Sequence, residues 1–330
     1  MHLFAAEPGS KAARPQAVAA FTADWRWLGC APLRGDGYRK AGEAAMTIRS
    51  IVLLSIVALL ACVKPAQAAQ SYDNCAGFIT TLPAIISTQG TWCLKQDLAT
   101  AVTSGNAITI NANNVTLDCN DFKLGGLAAG VATQTVGIYA NDRANLTVRH
   151  CNIRGFHTGI SFNGTLAGGN VIEDNRFDGN TDFGIVIFGD GSVVQRNRLF
   201  DTGGSSVSQD FMAIYSGSLV DFLDNTISGV VATTSSNGYA YGMFVVANNV
   251  RGNRISGLVP DGTGLAKAIS MNSNDRFFLT ENYLIGDGIT GSIGLDCLNP
   301  GVGRSKDNVI AGFDTGINNC GDAGGNDVTP

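Results

Sequence analysis

The chain has 330 residues, with 22 Lys and Arg against 27 Asp and Glu, a formal net charge of −5 at neutral pH. Charged residues make up only 15% and apolar ones 45%, which excludes a charge-rich disordered chain and leaves ample sequence for a core. The acidic balance argues against nucleic acid and against an anionic membrane surface as partners.

Residues 1–45 hold Trp25 and Trp27, two of the three tryptophans, and show no repeat. A secretory signal begins at Met46: Arg49, the apolar run from Ile51 to Cys62, and Ala66-Gln67-Ala68 as a cleavage site. Translation is therefore expected to start at Met46, with 1–45 an upstream extension and 46–68 a signal peptide. Leu59-Leu60-Ala61-Cys62 offers a lipoprotein cleavage box as the alternative to release near Ala68. The apolar run is too short for a transmembrane span, so the expected destination is the periplasm or the medium. Without residues 1–68 the balance becomes 14 Lys and Arg against 23 Asp and Glu, or −9, with Glu173, Glu281, His150 and His157 the only residues of their types. Residues 69–108 are expected to cap an open end, with a short helix over Ala76 to Ile86 interrupted at Pro83 and an edge strand over Cys93 to Leu98.

From Asn120 the chain repeats. Asn120, Cys151, Asn175, Asn197, Asn225, Asn253, Asn282 and Asn308 are each followed two residues later by an apolar side chain, and six of the eight by Gly two further on. Short strands alternate with these turns, opening at Gly137-Ile138, Gly159-Ile160, Gly184-Ile185, Ala213-Ile214, Gly242-Met243, Ala268-Ile269, Gly294-Leu295 and Gly316-Ile317. The period, 22 to 31 residues, is that of a solenoid. Its apolar runs are short, β-branched and bounded by Gly, Asn and Asp, which makes them strands. Each coil would pair in parallel with the next, giving an all-β parallel β-helix of about eight to nine coils over 109–320. The repeated Asn would stack in an interior turn about 4.8 Å apart, with Cys151 filling one rung. Charges just before the ladder alternate between coils, so Asp118, Arg149, Glu173 and Arg196 read as solvated cross-strand pairs, with His150 beside Asp174. His157 reads as a surface residue of a short turn. The Gly- and Asp-rich tail, 321–330, is expected to fray.

These Gly-Ile strands and N-x-I-x-G turns resemble the right-handed parallel β-helix repeat proteins of the pectate-lyase-like superfamily, over roughly residues 109–320. The stretch from Asn74 through Cys93-Leu94 to Val115-Thr116-Leu117-Asp118-Cys119-Asn120 is similar to the opening of a group of secreted bacterial β-helix proteins. The resemblance implies the fold and leaves activity open, because that superfamily holds lyases, hydrolases, epimerases and non-catalytic binders.

Six cysteines follow the signal, and export makes disulfides permissible. Of the fifteen pairings, proximity within the coils favours Cys75–Cys93, Cys119–Cys151 and Cys297–Cys320. No Cys-His spacing suggests a metal site.

Coil length varies at one corner only. From a Gly-Ile strand to the next ladder residue the gap stays between 11 and 16, whereas from ladder residue to strand it runs 17, 8, 9, 16, 17, 15, 12, 8. Insertions thus project from coils four to seven as Asp201–Phe211, Val230–Tyr241, Leu258–Lys267 and Gly286–Ser292, the place where repeat proteins put binding sites. Tyr215, Phe244, Ser270 and Asp296 would point outward beneath them. With Tyr239 and Tyr241 they form an aromatic patch, suited to the apolar faces of sugars. Asp210, Asp261, Asp287, Asp296 and Lys267 are the ionisable groups in reach. Asn180-Thr181-Asp182 followed by Gln209-Asp210 is similar to the Asn-Thr-Asp and paired-Asp motifs of polygalacturonases, but Phe211 stands where a second Asp belongs, and the Gly-His and Arg-Ile-Lys motifs are absent.

The sequence therefore leads to an exported, monomeric protein that recognises a polysaccharide or cell-envelope glycan through Tyr215, Tyr239, Tyr241 and Phe244. Cleavage is left open: a lyase or hydrolase outside familiar motifs would draw on Asp210, Asp261, Asp296 and Lys267. No cofactor is called for, and the carboxylates leave Ca²⁺ in play. The competing reading is a non-catalytic envelope or surface rod serving structure or adhesion, whose aromatics pack the loops against the body.

Overall fold

The computed structural model describes Tyr72 and residues 74–330, except Thr234 and Ser235; the extension and signal peptide expected over 1–68 lie outside the described residues. Among the described residues, helix is confined to the three-residue 3-10 turn Leu127–Ala129, and no helix is long and apolar enough to cross a membrane. The strands wind into a right-handed parallel solenoid of about nine turns.

Three parallel faces run the length of the solenoid. On the first, Thr158–Asn163 lies between Gln134–Asn141 and Phe183–Ile187. On the second, Val171–Glu173 lies between Thr147–Arg149 and Ser192–Gln195. On the third, Arg176–Asp178 lies between Asn152–Arg154 and Arg198–Gly203. Two long strands, Phe211–Leu223 and Ala240–Arg251, bend from the first face into the second, with a register shift between Ser216 and Val220. Inward positions carry Ile, Leu and Val together with Phe156, Phe162, Phe177, Phe211, Phe222 and Phe277, none more than 1% exposed. Glycine opens the first-face strands because neighbouring coils approach closely there. A Cβ at Gly184 would stand 2.7 Å from Ala213 O and 2.5 Å from a Leu199 methyl.

The short helix expected over Ala76 to Ile86 is not formed. Gly77–Ile79 pairs with Gly90–Leu94, and Ala84–Ile86 with Ser104–Ile110, so parallel pairing already runs through this segment. The residues alternate as a strand does: Ile86 is 1% exposed and Ile85 64%. The coil above presents unpaired backbone donors and acceptors that a strand satisfies and a helix would leave exposed. At the other end the tail is also ordered, because Asp327–Thr329 pairs with Val309–Ala311.

The asparagine ladder is an unbroken chain of hydrogen bonds from Cys151 upward. Cys151 N donates to Asn175 Oδ1 (3.0 Å), Asn175 N to Asn197 Oδ1 (3.1 Å), and the pattern continues through Asn225, Asn253, Asn282 and Asn308 to Asn326. Each Asn also turns its Nδ2 to a carbonyl of the coil before, as Asn225 does to Val194 O at 2.9 Å. Asn326 is a rung that the expectation of a frayed tail left out. Asn120 is not a rung. Between the paired positions Asp118↔Arg149 and Lys123↔Asn152 its coil has four residues where the next has two. The extra pair places Asn120 in the left-handed region (φ 48°), donating to Leu94 O. The Cys119–Cys151 disulfide, with Cα atoms 4.7 Å apart, links the two coils at this point. Cys75–Cys93 and Cys297–Cys320 are also bonded.

The outward charges pair across coils: Arg149 Nε lies 2.8 Å from Asp118, and Arg196 lies 2.7 Å from Glu173 and 2.8 Å from Asp174. His150 departs from expectation, its Nδ1 lying 3.2 Å from Asp118 in place of Asp174.

Replacing Asn225 with Ala would strip Asn197 of two hydrogen bonds and leave Val194 O without its partner, all in a fully buried turn. The expected loss is about 3 kcal/mol of unfolding free energy, read from chemical denaturation. Replacing the exposed Arg198 with Ala should change it by less than about 0.5 kcal/mol.

Candidate functional site

The loop-bearing corner joins the third face to the first. Its insertions are partly extra strand: Arg198–Gly203, Thr226–Val231 and Arg254–Val259 reach six residues where Arg176–Asp178 has three. Thr202 pairs with Val230, and Val230 with Leu258, so the third face rises at this corner before the chain turns back. The loops beyond are tied to one another. Asn237 N donates to Asp261 Oδ2 at 3.1 Å, Tyr239 N to Asp210 Oδ1 at 3.0 Å, and Thr233 Oγ1 to Ser205 O at 2.6 Å.

Two outward rows line the first face below these loops. One reads Val186, Tyr215, Phe244, Ser270, Asp296 and Asn318 on successive coils. The other reads Phe183, Met212, Tyr241, Lys267 and Ile293. Their rings join into one strip. Tyr215 stacks on Phe244 at 6.0 Å and 21°, Tyr241 meets Phe244 edge-on at 5.4 Å, and Tyr239 stacks on Tyr241 at 5.5 Å and 14°. Phe183 and Phe188 extend the strip on the other side of Tyr215, at 6.1 and 5.8 Å. Tyr241 is only 9% exposed; burial, with Asp210, Tyr239 and Asp296 nearby, pushes the ionisation of its hydroxyl well above the ordinary 10. At the upper end Lys267 Nζ sits 2.8 Å from Asp296 Oδ2 and about 6 Å from the Tyr239 and Tyr241 rings. Asn318 Nδ2 donates to the other Asp296 oxygen at 2.8 Å.

A second cluster adjoins the strip at its lower end. Asp182 is 3% exposed, and its Oδ2 lies 3.3 Å from His157 Nε2. Ser208 Oγ lies 3.4 Å from the same nitrogen. Asp182 Oδ1 and Thr181 Oγ1 are buried with no hydrogen-bond partner. Burial pushes the Asp182 carboxyl up to about 7; a hydrogen bond with Ser208 opposes the rise, and the charge of Asp210 adds to it. Burial likewise holds His157 below its ordinary 6.5.

Residues 101–328 match the family described as the right handed beta helix region. The chain belongs to the right-handed β-helix family. No curated protein matches it. Among solved structures, the Dettilon tailspike protein is 16% identical over 76% of this chain and 60% of that one, with a TM-score of 0.36; the β-helix chain thus spans less than two thirds of that structure.

In this β-helix protein the four aromatic residues singled out from sequence, Tyr215, Tyr239, Tyr241 and Phe244, form one contiguous strip. Of the four catalytic candidates, Asp210 and Asp296 both lie near the Tyr241 hydroxyl, Lys267 is paired with Asp296, and Asp210 and Asp261 accept the loop amides of Tyr239 and Asn237. The position where polygalacturonases carry a second Asp is filled by Phe211, buried in the core at 0%. Among the described residues no group of three or more His, Cys, Asp or Glu is placed to hold a metal ion. His157 is half-buried against Asp182, correcting its expected place on the surface. That pair was readable in principle, since His157 and Asp182 each stand two residues before the Gly of a Gly-Ile strand, Gly159 and Gly184.

Asp182 carries a testable pH signature. Its carboxyl is neutral in the folded protein up to about pH 7 but ionises near 3.8 when unfolded. The resulting stabilisation is fully present below pH 3.8 and is lost as pH rises from about 4 to 7. Asp182→Asn, neutral throughout, should remove that loss. Relative to wild type the variant should gain on the order of 3 kcal/mol between pH 4 and pH 8 in denaturation midpoints followed against pH. A difference that stays flat across this window would show that Asp182 is not held neutral.

Proposed function

We propose that this protein recognises a polysaccharide, or a glycan of the cell envelope, along the loop-bearing corner of coils four to seven. The observation that carries the reading is the continuous strip of Phe183, Phe188, Tyr215, Phe244, Tyr241 and Tyr239 on an outward face. Outward strand positions favour polar residues; six rings in successive contact there present an apolar track, with Tyr215 stacked on Phe244 and Tyr239 on Tyr241. Sugar rings offer apolar C–H faces that lie well on such a track, and the Tyr hydroxyls give hydrogen bonds at its margin. The three disulfides support an oxidising destination, the periplasm or the medium, where envelope and extracellular glycans are met. In a monomeric rod the partly exposed rings of the strip, Tyr215, Phe244 and Tyr239 among them, face solvent.

Recognition is favoured over cleavage by the burial of Asp182. Glycoside hydrolysis needs a carboxylic acid that reaches the leaving oxygen and a second carboxyl across the bond. Asp182 has the right proton affinity, but its side chain is 5% exposed and lies behind His157 and Ser208. The competing rod reading draws on Tyr241, whose 9% exposure is what a ring packing the loops against the body would have.

Affinity electrophoresis through neutral and acidic plant and bacterial polysaccharides separates the readings. Retardation is expected in at least one gel. Tyr215→Ala and Tyr239→Ala, both at partly exposed positions, should each weaken it about fivefold. Equal mobility of both variants and wild type in the retarding gel would remove the strip from the site. No retardation in any gel would leave the structural rod. Mass spectrometry of the recovered glycans adds the reaction: unchanged chains mean binding alone, and fragments one water lighter than hydrolytic products mean a lyase.

A further inference from the structure

A cleft opens on the second face near the C-terminal coils. It encloses about 480 Å³ and is lined by Arg276, Phe277, Phe278, Gly301, Val302 and Arg304. Phe277 points inward and is 1% exposed, while its neighbour Phe278 points outward and is 54% exposed. Parallel pairing sets Phe278 beside Asn249 on one side and Arg304 on the other, one strand spacing or about 4.8 Å apart. Arg276 is two residues from Phe278 and on the same side of the strand. An exposed aromatic ring and two arginines therefore line one cleft.

The charges in this cleft are not offset by any carboxylate. Arg149, Arg154 and Arg196 each meet an Asp or Glu on a neighbouring coil. A groove of about 500 Å³ on the third face does contain Arg176, Arg196 and Arg198, but Asp121, Asp174 and Asp224 line the same groove and offset them. Among the described residues neither Arg276 nor Arg304 makes an ion pair. The hydrogen bond that Arg304 does make goes to the adjacent carbonyl of Gly303, at 3.3 Å. No carboxylate lines the cleft. In a chain whose residues 69–330 carry a net −9, two unneutralised arginines beside an exposed phenyl ring form a local positive, aromatic recess.

We propose that this cleft is a binding site for a sugar residue bearing a carboxylate, separate from the aromatic corner and independent of it. The volume lies within the range of small-ligand pockets and holds one or two sugar rings. The flat Phe278 face takes the C–H face of the ring. The guanidinium forks take the carboxylate through paired, charge-assisted hydrogen bonds, a geometry that Lys would not offer. A lone inorganic anion would use the arginines and leave the phenyl ring idle; a neutral sugar would do the reverse. Only a ligand with both features uses everything the cleft presents. A densely charged nucleic-acid strand fits poorly, since residues 69–330 carry a net −9 and only two cations line the cleft.

The test is NMR titration of the whole secreted chain with D-glucuronate, D-glucose and inorganic phosphate in parallel. Glucuronate is expected to saturate shifts at Phe278 and Arg304 with a Kd on the order of millimolar, as suits one ring and one charge. Arg276→Gln and Arg304→Gln should each weaken it about tenfold. Phe278→Ser should weaken it about fivefold without lowering the melting temperature, since this ring is outside the core. Glucose binding as tightly as glucuronate would overturn the role of charge. Phosphate binding as tightly, with Phe278→Ser unaffected, would reduce the cleft to a bare anion patch. No response to glucuronate at this site would overturn the proposal outright.

Discussion

The fold depends on a hydrogen-bonded stack of asparagine side chains. A coil that turns sharply between its second and third faces leaves main-chain amides pointing into the interior, and a buried amide without an acceptor costs about 1–3 kcal/mol. Each Asn brings one acceptor for an amide of the coil before it and one donor for a carbonyl of that same coil, so the turn is satisfied by identical residues on successive coils. The residue just before the ladder adopts the left-handed conformation in His150, Asp174, Arg196, Asp224, Glu281 and Asp307, with φ between 52° and 57°. Side chains other than Gly are strained there by roughly 1 kcal/mol each. The ladder holds that geometry in place, and in exchange the exposed left-handed residue is free to carry charge. Arg196 and Asp174 meet across coils because both occupy this position.

The same repetition made the fold legible in the sequence. Spacing between Asn residues defines the coil and spacing between Gly-Ile strands defines its register, so Tyr215, Phe244, Ser270 and Asp296 could be placed side by side from arithmetic alone. Arithmetic failed where a coil departs from the common length. The two extra residues before Lys123 moved Asn120 off the ladder, and no local property of Asn120 signals it. Ala76 to Ile86 looked helical because its first turns lack the Asn and Gly-Ile markers; what decides its conformation is the strand edge of the next coil, a contact remote in sequence. The His157–Asp182–Ser208 cluster was hidden for a third reason. Its members come from three coils, and a carboxylate in a loop reads as solvated until burial is known.

Function is written less plainly because the rungs and the site obey different demands. Inward positions must match their neighbours in volume, which leaves a periodic trace. The outward rows need only be compatible with pairing, so they vary freely from Tyr215 to Ser270 without disturbing what lies beneath. The insertions at one corner follow from the same freedom. A loop between two faces lengthens without changing the register of either, and the extra pairing of Thr202, Val230 and Leu258 braces the lengthened loops against the body.

The three disulfides are not spread evenly along the rod. Cys75–Cys93 and Cys119–Cys151 stitch the opening coils, Cys297–Cys320 stitches the closing ones, and the stretch from Cys151 to Cys297 has no covalent cross-link. A solenoid ordinarily loosens from its ends, where a terminal coil has only one neighbour to hold it. Here the terminal coils are sutured, so their amide protons should exchange slowly together with those of the centre, which would flatten the usual gradient of protection along the axis. The unsutured middle then opens only by parting coils from both neighbours at once, the most expensive local fluctuation available. That is the segment beneath the long loops, which consequently move over a bed that does not.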